Sequence, residues 1–298
     1  MSNTTKKGTM SIDLSAVSAI DTHVHVEIDD HGHTALSQPF LDASAKYFKA
    51  GERTPTIDQI GQRYRDLGIA AVIFTVDSER KLNHPRISNY DVVEGAKRWS
   101  DVLIPFASID PARGAEGVAE LRDLVENHGV KGAKFHPSLQ EFLPNDGSAD
   151  GLYEVLAEHK LPAIFHTGQT GIGAGMPGGG GIKLRYSDPM YLDDVAADFP
   201  DMTVIMAHPS VPWQASAISI ATHKPNAVID LSGWSPKYFA PELVRAINGP
   251  LRRKVLFASD YPVIDPERWL ADFAELQIKD EVRPMVMKEN AARILGLA

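Results

Sequence analysis

Six side chains that can bind a metal ion lie within or at the end of short apolar runs of this chain: His23, His25, His136, His166, His208 and Asp260. Side chains two positions apart on a β-strand point to the same side, so His23 and His25 face one direction. Imidazole nitrogens and a carboxylate oxygen suit Zn²⁺ or another divalent transition ion. The chain has no cysteine, which excludes thiolate zinc sites and a cysteine nucleophile. The residue types therefore predict a divalent metal site built from histidine and aspartate.

A second His-x-His pair, His31 and His33, lies in the polar stretch DDHGH. No apolar run surrounds this pair, so we expect it in a solvated loop. The metal-site prediction therefore rests on the first pair and on the residues that end the later runs.

The apolar runs are the predicted strands. Eight of them alternate with segments of helical periodicity, which is typical of repeated βα units in a parallel sheet. They cover residues 17–26, 70–76, 102–108, 130–136, 161–166, 202–208, 227–231 and 254–260. Eight such units in about 285 residues match the size of a (β/α)₈ barrel. A doubly wound open sheet is the alternative fold, because a strand count cannot show whether the sheet closes.

We therefore predict an α/β protein with one domain, a TIM-like barrel over residues 11–298 that ends in a helix from about residue 279 to 297. Residues 1–10, MSNTTKKGTM, contain too little apolar surface to pack and are predicted as a flexible tail. In such a barrel the loops after the strands converge on one mouth, where reactive groups lie. The side chains that end the predicted strands are expected to meet there.

Composition excludes several classes of partner. The net charge of −9 creates a field that repels phosphate backbones, so no nucleic-acid partner is expected. No stretch reaches the roughly 18 consecutive apolar residues of a membrane span, and the first ten residues lack the apolar centre of a signal peptide. We expect a soluble, cytoplasmic protein without a membrane partner. The sequence leaves open whether it forms a homo-oligomer.

Four short motifs occur in order along the chain: DTHVH at 21–25, FHTG at 165–168, AHP at 207–209 and ASDYP at 258–262. Together they resemble the amidohydrolase superfamily, in particular the branch that contains aminocarboxymuconate-semialdehyde decarboxylase and many metal-dependent hydrolases. The resemblance extends over essentially the whole chain. It implies a distorted (β/α)₈ barrel that binds one metal ion, usually zinc, with Mn²⁺ or a second metal left open. The implied metal ligands are His23, His25, His166 and Asp260.

The resemblance also implies roles in catalysis. A zinc ion lowers the pKa of a bound water from 15.7 to about 7, which makes hydroxide available at neutral pH. Asp260 is expected to accept the proton and return it to the leaving group, and His208 to orient the water or stabilise an oxyanion. The phrasing at 165–175, FHTGQTGIGAG, resembles hydrolase members that act on aromatic β-ketoacyl-CoA thioesters. We therefore expect a hydrolase acting on a carbonyl substrate, with such a thioester as one candidate.

The alternative is a zinc-dependent decarboxylase of an aromatic or unsaturated acid. In that case the same site coordinates the carboxylate of the substrate and protonates the neighbouring carbon. Several aromatic decarboxylases of this branch replace the first histidine of the pair by glutamate, whereas this chain has His23.

The candidate substrate-binding residues are Lys134, His136, Arg185 and Trp234. Lys134 falls on predicted strand four, where two-metal members of the superfamily carry a carbamylated lysine. We favour instead a lysine that forms a salt bridge at the mouth or binds a substrate anion. Residues 171–181 contain seven glycines, which is typical of a mobile loop or of a backbone anion cradle.

Overall fold

The computed structural model describes residues 12–48 and 54–298. The predicted tail at residues 1–10 lies outside this part of the chain. Eight strands run through it: β1 (Ala19–His25), β2 (Ile69–Phe74), β3 (Leu103–Pro105), β4 (Ala133–Phe135), β5 (Pro162–His166), β6 (Thr203–Ala207), β7 (Ala227–Asp230) and β8 (Val255–Leu256). Each strand lies within or overlaps one of the eight predicted runs. The α/β fold class predicted from the sequence is confirmed.

All the strand pairs are parallel and form two sets of neighbours, β1-β2-β3 and β4-β5-β6-β7-β8. Two joints connect the sets. An isolated parallel bridge links Ala107 to Ala133, and the N–H of Lys134 donates to the carbonyl of Ala107 at 2.7 Å. A second bridge links Val24 to Tyr261. The strands therefore form a closed barrel, and the open-sheet alternative is wrong for this chain.

Helices cover the outside of the barrel: α1 (Gln38–Phe48), α2 (Ile57–Leu67), α3 (Glu79–Leu82), α4 (Asn89–Arg98), α5 (Gly114–His128), α6 (Pro137–Gln140), α7 (Asp150–Glu158), α8 (Tyr191–Asp198), α9 (Gln214–His223), α10 (Pro241–Ile247), α11 (Pro266–Ala274) and α12 (Asn290–Ile294). Local sequence sets their ends. Thr56 and Gln59 form a capping box at the start of α2, and Gly129 ends α5 in the left-handed conformation. Over the described residues, no helix is both long enough and apolar enough to cross a membrane.

Alternate residues of the strands pack on opposite sides of the barrel wall. One cluster of buried side chains, including Ile20, Val72 and Leu256, fills the interior, while a larger one packs between strands and helices. The register of β1 shifts between Asp21 and Val24. Because Ile20 packs in the interior cluster and Val24 in the outer one, this irregularity resets the alternation within β1. As a result, the imidazoles of His23 and His25 both face the mouth of the barrel.

The C-terminal helix is shorter than predicted. Helical structure runs only from residue 283 to 294, through a π-helical turn at Met285–Glu289 and then α12. Pro284 has no N–H to donate to a preceding turn, so it is compatible with the first turn of this helix but not with a helix that begins at 279. Gly296, with φ of +65°, ends the helix.

Gly132 lies at the joint between β3 and β4 and has no room for a side chain. A Cβ there would lie 2.4 Å from the Phe106 ring and 2.6 Å from the carbonyl oxygen of Pro162. We expect Gly132→Ala to lower the free energy of unfolding by about 1–3 kcal/mol through overpacking. Thermal denaturation measures the effect, and Gly132→Val should lower the melting temperature further. An unchanged melting temperature in both variants would contradict this packing.

Candidate metal centre

The structure brings the six side chains singled out in the sequence to one end of the barrel. His23 and His25 lie at the end of β1, and His166 ends β5. His136 and His208 directly follow β4 and β6, and Asp260 lies four residues after the end of β8. The carboxyl ends of all eight parallel strands share this end, which is why residues so distant in sequence meet. Each of the six side chains is buried or nearly so.

Three ligand atoms converge most closely. The Nε2 atoms of His23 and His25 lie 3.3 Å apart, and Oδ1 of Asp260 lies 3.2 Å from each of them. One ligand atom from each residue lies within 4.8 Å of those of the other two, which is close enough for all three to share one metal ion. Burial lowers the pKa of His23 to about 3, so its imidazole is neutral at pH 7 and can serve as a ligand.

His166 adjoins this cluster through His208. The Nδ1 of His166 and the Nε2 of His208 are 2.9 Å apart, and the ring of His136 stacks on that of His166 at a centroid distance of 3.9 Å. Burial holds the pKa of His166 well below its usual value, so this ring is also neutral. Its Nε2 atom is buried and has no hydrogen-bond partner among the described residues.

A buried nitrogen without a partner is costly unless something outside the protein binds it. A divalent metal ion supplies such a partner. With the cluster of two imidazoles and a carboxylate, this orphaned nitrogen gives a donor set that fits a zinc- or manganese-type ion. The residues present are therefore compatible with the metal that the sequence motifs imply.

Sequence analysis missed the carboxylate that orients His23. Oδ2 of Asp230 lies 2.9 Å from Nδ1 of His23, and Oδ1 accepts a hydrogen bond from the N–H of His208 at 3.2 Å. Burial by itself raises the pKa of Asp230, but the nearby His23 and the hydrogen bonds to the carboxylate outweigh burial, so the pKa falls well below its usual value. An ionised Asp230 directs the Nδ1 proton of His23 toward itself and leaves Nε2 free to bind a metal.

The sequence contained a signal for Asp230, because it is the ionisable residue at the end of predicted strand seven. The argument applied to the other strand ends also selects it. Ser232 had no such signal. Its Oγ lies 3.1 Å from Nδ1 of His23 and 2.9 Å from Nδ1 of His208, so one hydroxyl contacts both rings.

The segment after β8 is fastened to β1 by a buried carboxylate. Asp21 accepts hydrogen bonds from the N–H of Ser259 at 2.9 Å and from the hydroxyl of Tyr64 at 2.8 Å. The next residue, Asp260, donates its N–H to the carbonyl of His23 at 3.0 Å. These bonds place the carboxylate of Asp260 against the two imidazoles of β1.

Two site residues have unusual backbone conformations. Asp260 and His208 have φ of +69° and +70°, in the left-handed region that residues other than glycine seldom adopt. Such strain persists only where surrounding contacts enforce it, and it concentrates at functional sites. Gly233 is required beside them, since a Cβ at this position would lie 2.6 Å from Nδ1 of His208.

Lys134 lies within the barrel beside the metal cluster. Its side chain is fully buried, and Nζ lies 3.0 Å from Nε2 of His23 and 4.9 Å from the centroid of the Phe74 ring. Burial lowers the pKa of this amine to about 8. One lone pair on Nε2 can accept from the amine or bind a metal ion, but not both at once. Metal binding to His23 therefore requires the amine to move to another acceptor.

A cavity of about 480 Å³ opens from the site to solvent. The site residues that line it are His25, His136, His166, His208 and Asp260. Its walls combine polar side chains with apolar and aromatic ones, which include Leu36, Leu41, Phe48, Ile172, Trp234, Tyr238, Val263 and Ile264. The cavity can therefore take a flat apolar ligand with one polar end at the site.

Not all the predicted substrate-binding residues line this cavity. Trp234 and His136 do, whereas Lys134 and Arg185 do not. The guanidinium of Arg185 is exposed and lies over the ring of Tyr186, 5.1 Å from its centroid. The sequence places Arg185 directly after the glycine-rich loop, but the chain then turns its side chain toward solvent.

The glycine-rich loop forms part of the cavity wall and packs against α1. Gly171 and Ile172 line the cavity. A Cβ on Gly171 would lie 2.1 Å from the Phe48 ring, and one on Gly180 would lie 2.8 Å from Phe40. The glycines therefore allow the loop to lie directly against the aromatic side chains of α1.

Comparison with known proteins agrees with this fold. The sequence pattern of the Amidohydrolase family matches residues 20–297, so the chain belongs to that family. No curated protein sequence matches the chain.

Several solved structures have the same fold. An uncharacterized TIM-barrel protein from Bordetella bronchiseptica is 21% identical, with a TM-score of 0.74 over 94% of this chain and 98% of that one. The 5-carboxyvanillate decarboxylase of Novosphingobium aromaticivorans, complexed with manganese and 4-hydroxy-3-methoxy-5-nitrobenzoic acid, is 13% identical, with a TM-score of 0.67 over 98% and 100%. The 2,6-dihydroxybenzoate decarboxylase from Rhizobium is 14% identical, with a TM-score of 0.68 over 94% and 99%.

The contact between Asp230 and His23 can be tested by metal binding. Asp230→Asn keeps the shape of the side chain but removes the charge that orients the imidazole. We expect the affinity for Zn²⁺ or Mn²⁺ to fall about ten- to a hundredfold, as for other carboxylates that support a metal-bound histidine. Competition with a chelator of known affinity measures the change. Asp198→Asn, on the exposed side of α8, is the matched control; an equal loss in both variants would contradict the assigned role.

Proposed function

We propose that this protein is a metal-dependent carboxy-lyase that removes CO₂ from a small aromatic or unsaturated carboxylic acid. The observation that carries the proposal is the cavity, in which a metal-binding donor set adjoins several apolar and aromatic side chains. A planar acid can place its carboxylate at the donor set and its ring or double bond against Trp234 and Phe48.

The size and charge of the cavity favour this activity over hydrolysis of a CoA thioester, the activity expected from the sequence. A CoA tail carries several phosphates and needs cationic side chains along its path. Among the described residues that line the cavity, Arg268 is the one lysine or arginine. The predicted anion contacts Lys134 and Arg185 lie elsewhere.

The solved structures give further support. Two of the proteins that share this fold are decarboxylases of aromatic acids with manganese bound, and a third was solved with its substrate 2,6-dihydroxybenzoate. We propose one divalent metal ion for this chain as well, with zinc, as expected from the sequence, or manganese as the candidates.

In this mechanism His23, His25, Asp260 and Nε2 of His166 hold the ion. When bound, the ion acts as a Lewis acid that orients the substrate carboxylate and polarises it. The apolar walls exclude water from the face of the ring. They also favour decarboxylation, because the charged carboxylate leaves as uncharged CO₂.

Asp260 is the proton carrier. Its Oδ1 contacts the two imidazoles, while Oδ2 is on the side of Gly233, a residue of the cavity lining. Burial by itself raises its pKa, but the hydrogen bond to His25 and the nearby imidazoles lower it well below the usual value. The carboxylate is therefore ionised in the resting site, and it must take up a proton from solvent before it can pass that proton to the substrate carbon.

The reaction consumes the substrate and one proton and needs no further reactant. The proton moves from Asp260 to the carbon that bears the carboxylate, the bond between that carbon and the carboxylate breaks, and its electron pair returns to the ring or double bond. His208 is held by contacts with Ser232 and His166 and lines the cavity. Both ring nitrogens of His208 are engaged in these contacts, so its role is to position His166 rather than to donate to the departing group.

Product analysis distinguishes the two activities. Protein loaded with Zn²⁺ or Mn²⁺ is incubated separately with hydroxybenzoates and with an aromatic β-ketoacyl-CoA, and CO₂ and acyl-CoA products are measured. We expect CO₂ and the decarboxylated phenol from a hydroxybenzoate, and no cleavage of the thioester. Thioester cleavage without CO₂ release from any acid would overturn the carboxy-lyase proposal and restore the hydrolase.

The role of Asp260 has its own test. Asp260→Asn keeps the side-chain volume but cannot carry the proton, so we expect kcat to fall by at least about a hundredfold while the barrel remains folded. Turnover and circular dichroism are measured on protein saturated with metal, because the substitution also removes a ligand. Near-normal turnover at saturating metal would contradict the assignment.

A further inference from the structure

Ser232 lies at the centre of a buried chain of polar contacts beside the metal cluster. Ser232 and Asp230 are fully buried, and His208 is 6% exposed. The hydroxyl of Ser232 contacts the carboxylate of Asp230, Nδ1 of His23 at 3.1 Å and Nδ1 of His208 at 2.9 Å. At the other end of the chain, Nε2 of His208 lies 2.9 Å from Nδ1 of His166. Because these groups are buried, their hydrogens need partners within the chain itself.

The carboxylate of Asp230 fixes the direction of the hydrogen bonds at its end. An ionised carboxylate only accepts, so the hydroxyl of Ser232 donates its single hydrogen to Oδ1 of Asp230. The same oxygen accepts the N–H of Ser232 at 3.0 Å and the N–H of His208 at 3.2 Å. Once its hydrogen is used, the hydroxyl can only accept from the two imidazoles. Nδ1 of His23 and Nδ1 of His208 therefore both carry a hydrogen.

The position of these hydrogens determines the second nitrogen of each ring. A neutral imidazole carries one hydrogen, so Nε2 of His208 is an acceptor. Nδ1 of His166 donates to it, and Nε2 of His166 keeps a lone pair. This is the buried nitrogen without a partner among the described residues. The same rule leaves a lone pair on Nε2 of His23, the atom that contacts His25 and Asp260.

The chain of contacts crosses the ends of three neighbouring strands. His166 ends β5, His208 follows β6 and Asp230 ends β7, and these strands pair in that order. Gly233 lets the segment after β7 lie against His208, since a Cβ there would lie 2.6 Å from Nδ1 of this ring. The order of the strands therefore places one carboxylate within reach, through two side chains, of an imidazole two strands away.

We propose that one carboxylate, Asp230, fixes the tautomers of two metal ligands. It acts on His23 directly and on His166 through Ser232 and His208, which we call the relay. All three rings then carry their hydrogen on Nδ1, and the ligand nitrogens are ready to bind an ion. This inference goes beyond the proposed reaction, because it concerns the donor atoms of the metal centre and holds for any substrate.

Nuclear magnetic resonance of the Zn²⁺-loaded protein tests the positions of the hydrogens. Long-range correlation of ring protons with ring nitrogens distinguishes a nitrogen that carries a hydrogen from one that does not. Single histidine substitutions assign the signals. We expect the hydrogen on Nδ1 in His23, His166 and His208, and a bare Nε2 in His208, which is not a ligand. A hydrogen on Nε2 of His208 would overturn the proposal, as would hydrogens on both of its nitrogens.

Substitution of Ser232 separates the relay from the direct contact. Ser232→Ala removes the link to His208 but leaves the carboxylate of Asp230 against Nδ1 of His23. We expect the affinity for Zn²⁺, measured by competition with a chelator, to fall about tenfold, as for other groups that support a metal-bound histidine. His208 should also lose its single tautomer in the spectrum of this variant. Unchanged affinity together with an unchanged tautomer would contradict the relay.

Ser138→Ala is the matched control. It removes another buried hydroxyl, which contacts the hydroxyl of Ser187 and the carbonyl of Lys183. We expect this variant to bind Zn²⁺ with the affinity of the wild type. An equal loss of affinity in Ser138→Ala and Ser232→Ala would indicate a general effect on stability and would overturn the assigned role of Ser232.

Two substitutions of His208 provide a second comparison. The amide oxygen of glutamine can accept from Nδ1 of His166, whereas leucine offers no acceptor. We expect His208→Gln to bind Zn²⁺ about tenfold more tightly than His208→Leu. Equal affinity would mean that His208 only fills space, and the relay would be wrong. Absence of CO₂ release, by contrast, contradicts the proposed reaction, while tautomers and Zn²⁺ affinity decide the relay without any substrate.

Discussion

Closure of the barrel between its last and first strands is the constraint on which this site depends. Buried Asp21 on β1 binds the backbone of Ser259, and the N–H of Asp260 binds the carbonyl of His23. The carboxylate ligand thus reaches the imidazoles only because the end of the chain returns to its beginning. Assembly of the metal centre and completion of the barrel are therefore a single event.

Burial at this joint also sets the charges of the site. Removal from water makes protonated imidazole unfavourable, and the pKa of His23, His166 and His208 falls accordingly. The carboxylates of Asp230 and Asp260 stay ionised because they are paired with these rings. The result is a set of neutral and anionic donors around a position that favours a cation. Lys134 is the buried cation closest to it in this structure, and a metal ion competes for the same nitrogen of His23.

Substrate recognition is assigned to parts of the molecule that are independent of the metal centre. The outer wall comes from α1, the glycine-rich loop, the segment after β7 and the start of α11. These elements belong to the connections between strands at the mouth, where the sequence can change without disturbing the strands. A barrel can thus keep one site chemistry while the loops select the substrate, and this separation is why the family alone does not define the substrate.

Much of the fold was predictable because strands and helices leave local patterns. The β-branched runs marked all eight strands, and the alternation of side chains placed His23 and His25 on one face. The same local logic would have selected Asp230, which ends β7 as His166 ends β5, although the sequence analysis missed it. It failed for Arg185, because the direction of a side chain in a loop depends on packing that has no period in sequence.

The sequence by itself determined the residue types, the number of strands and the end of the barrel at which the reactive groups lie, since these follow from periodicity and chain direction. Only the tertiary structure decided that the sheet closes, that Asp230 and Ser232 contact the imidazoles, and that Lys134 lies beside His23. Those features depend on contacts between residues far apart in the chain. Such contacts form only when the whole barrel is assembled, and no local pattern records them.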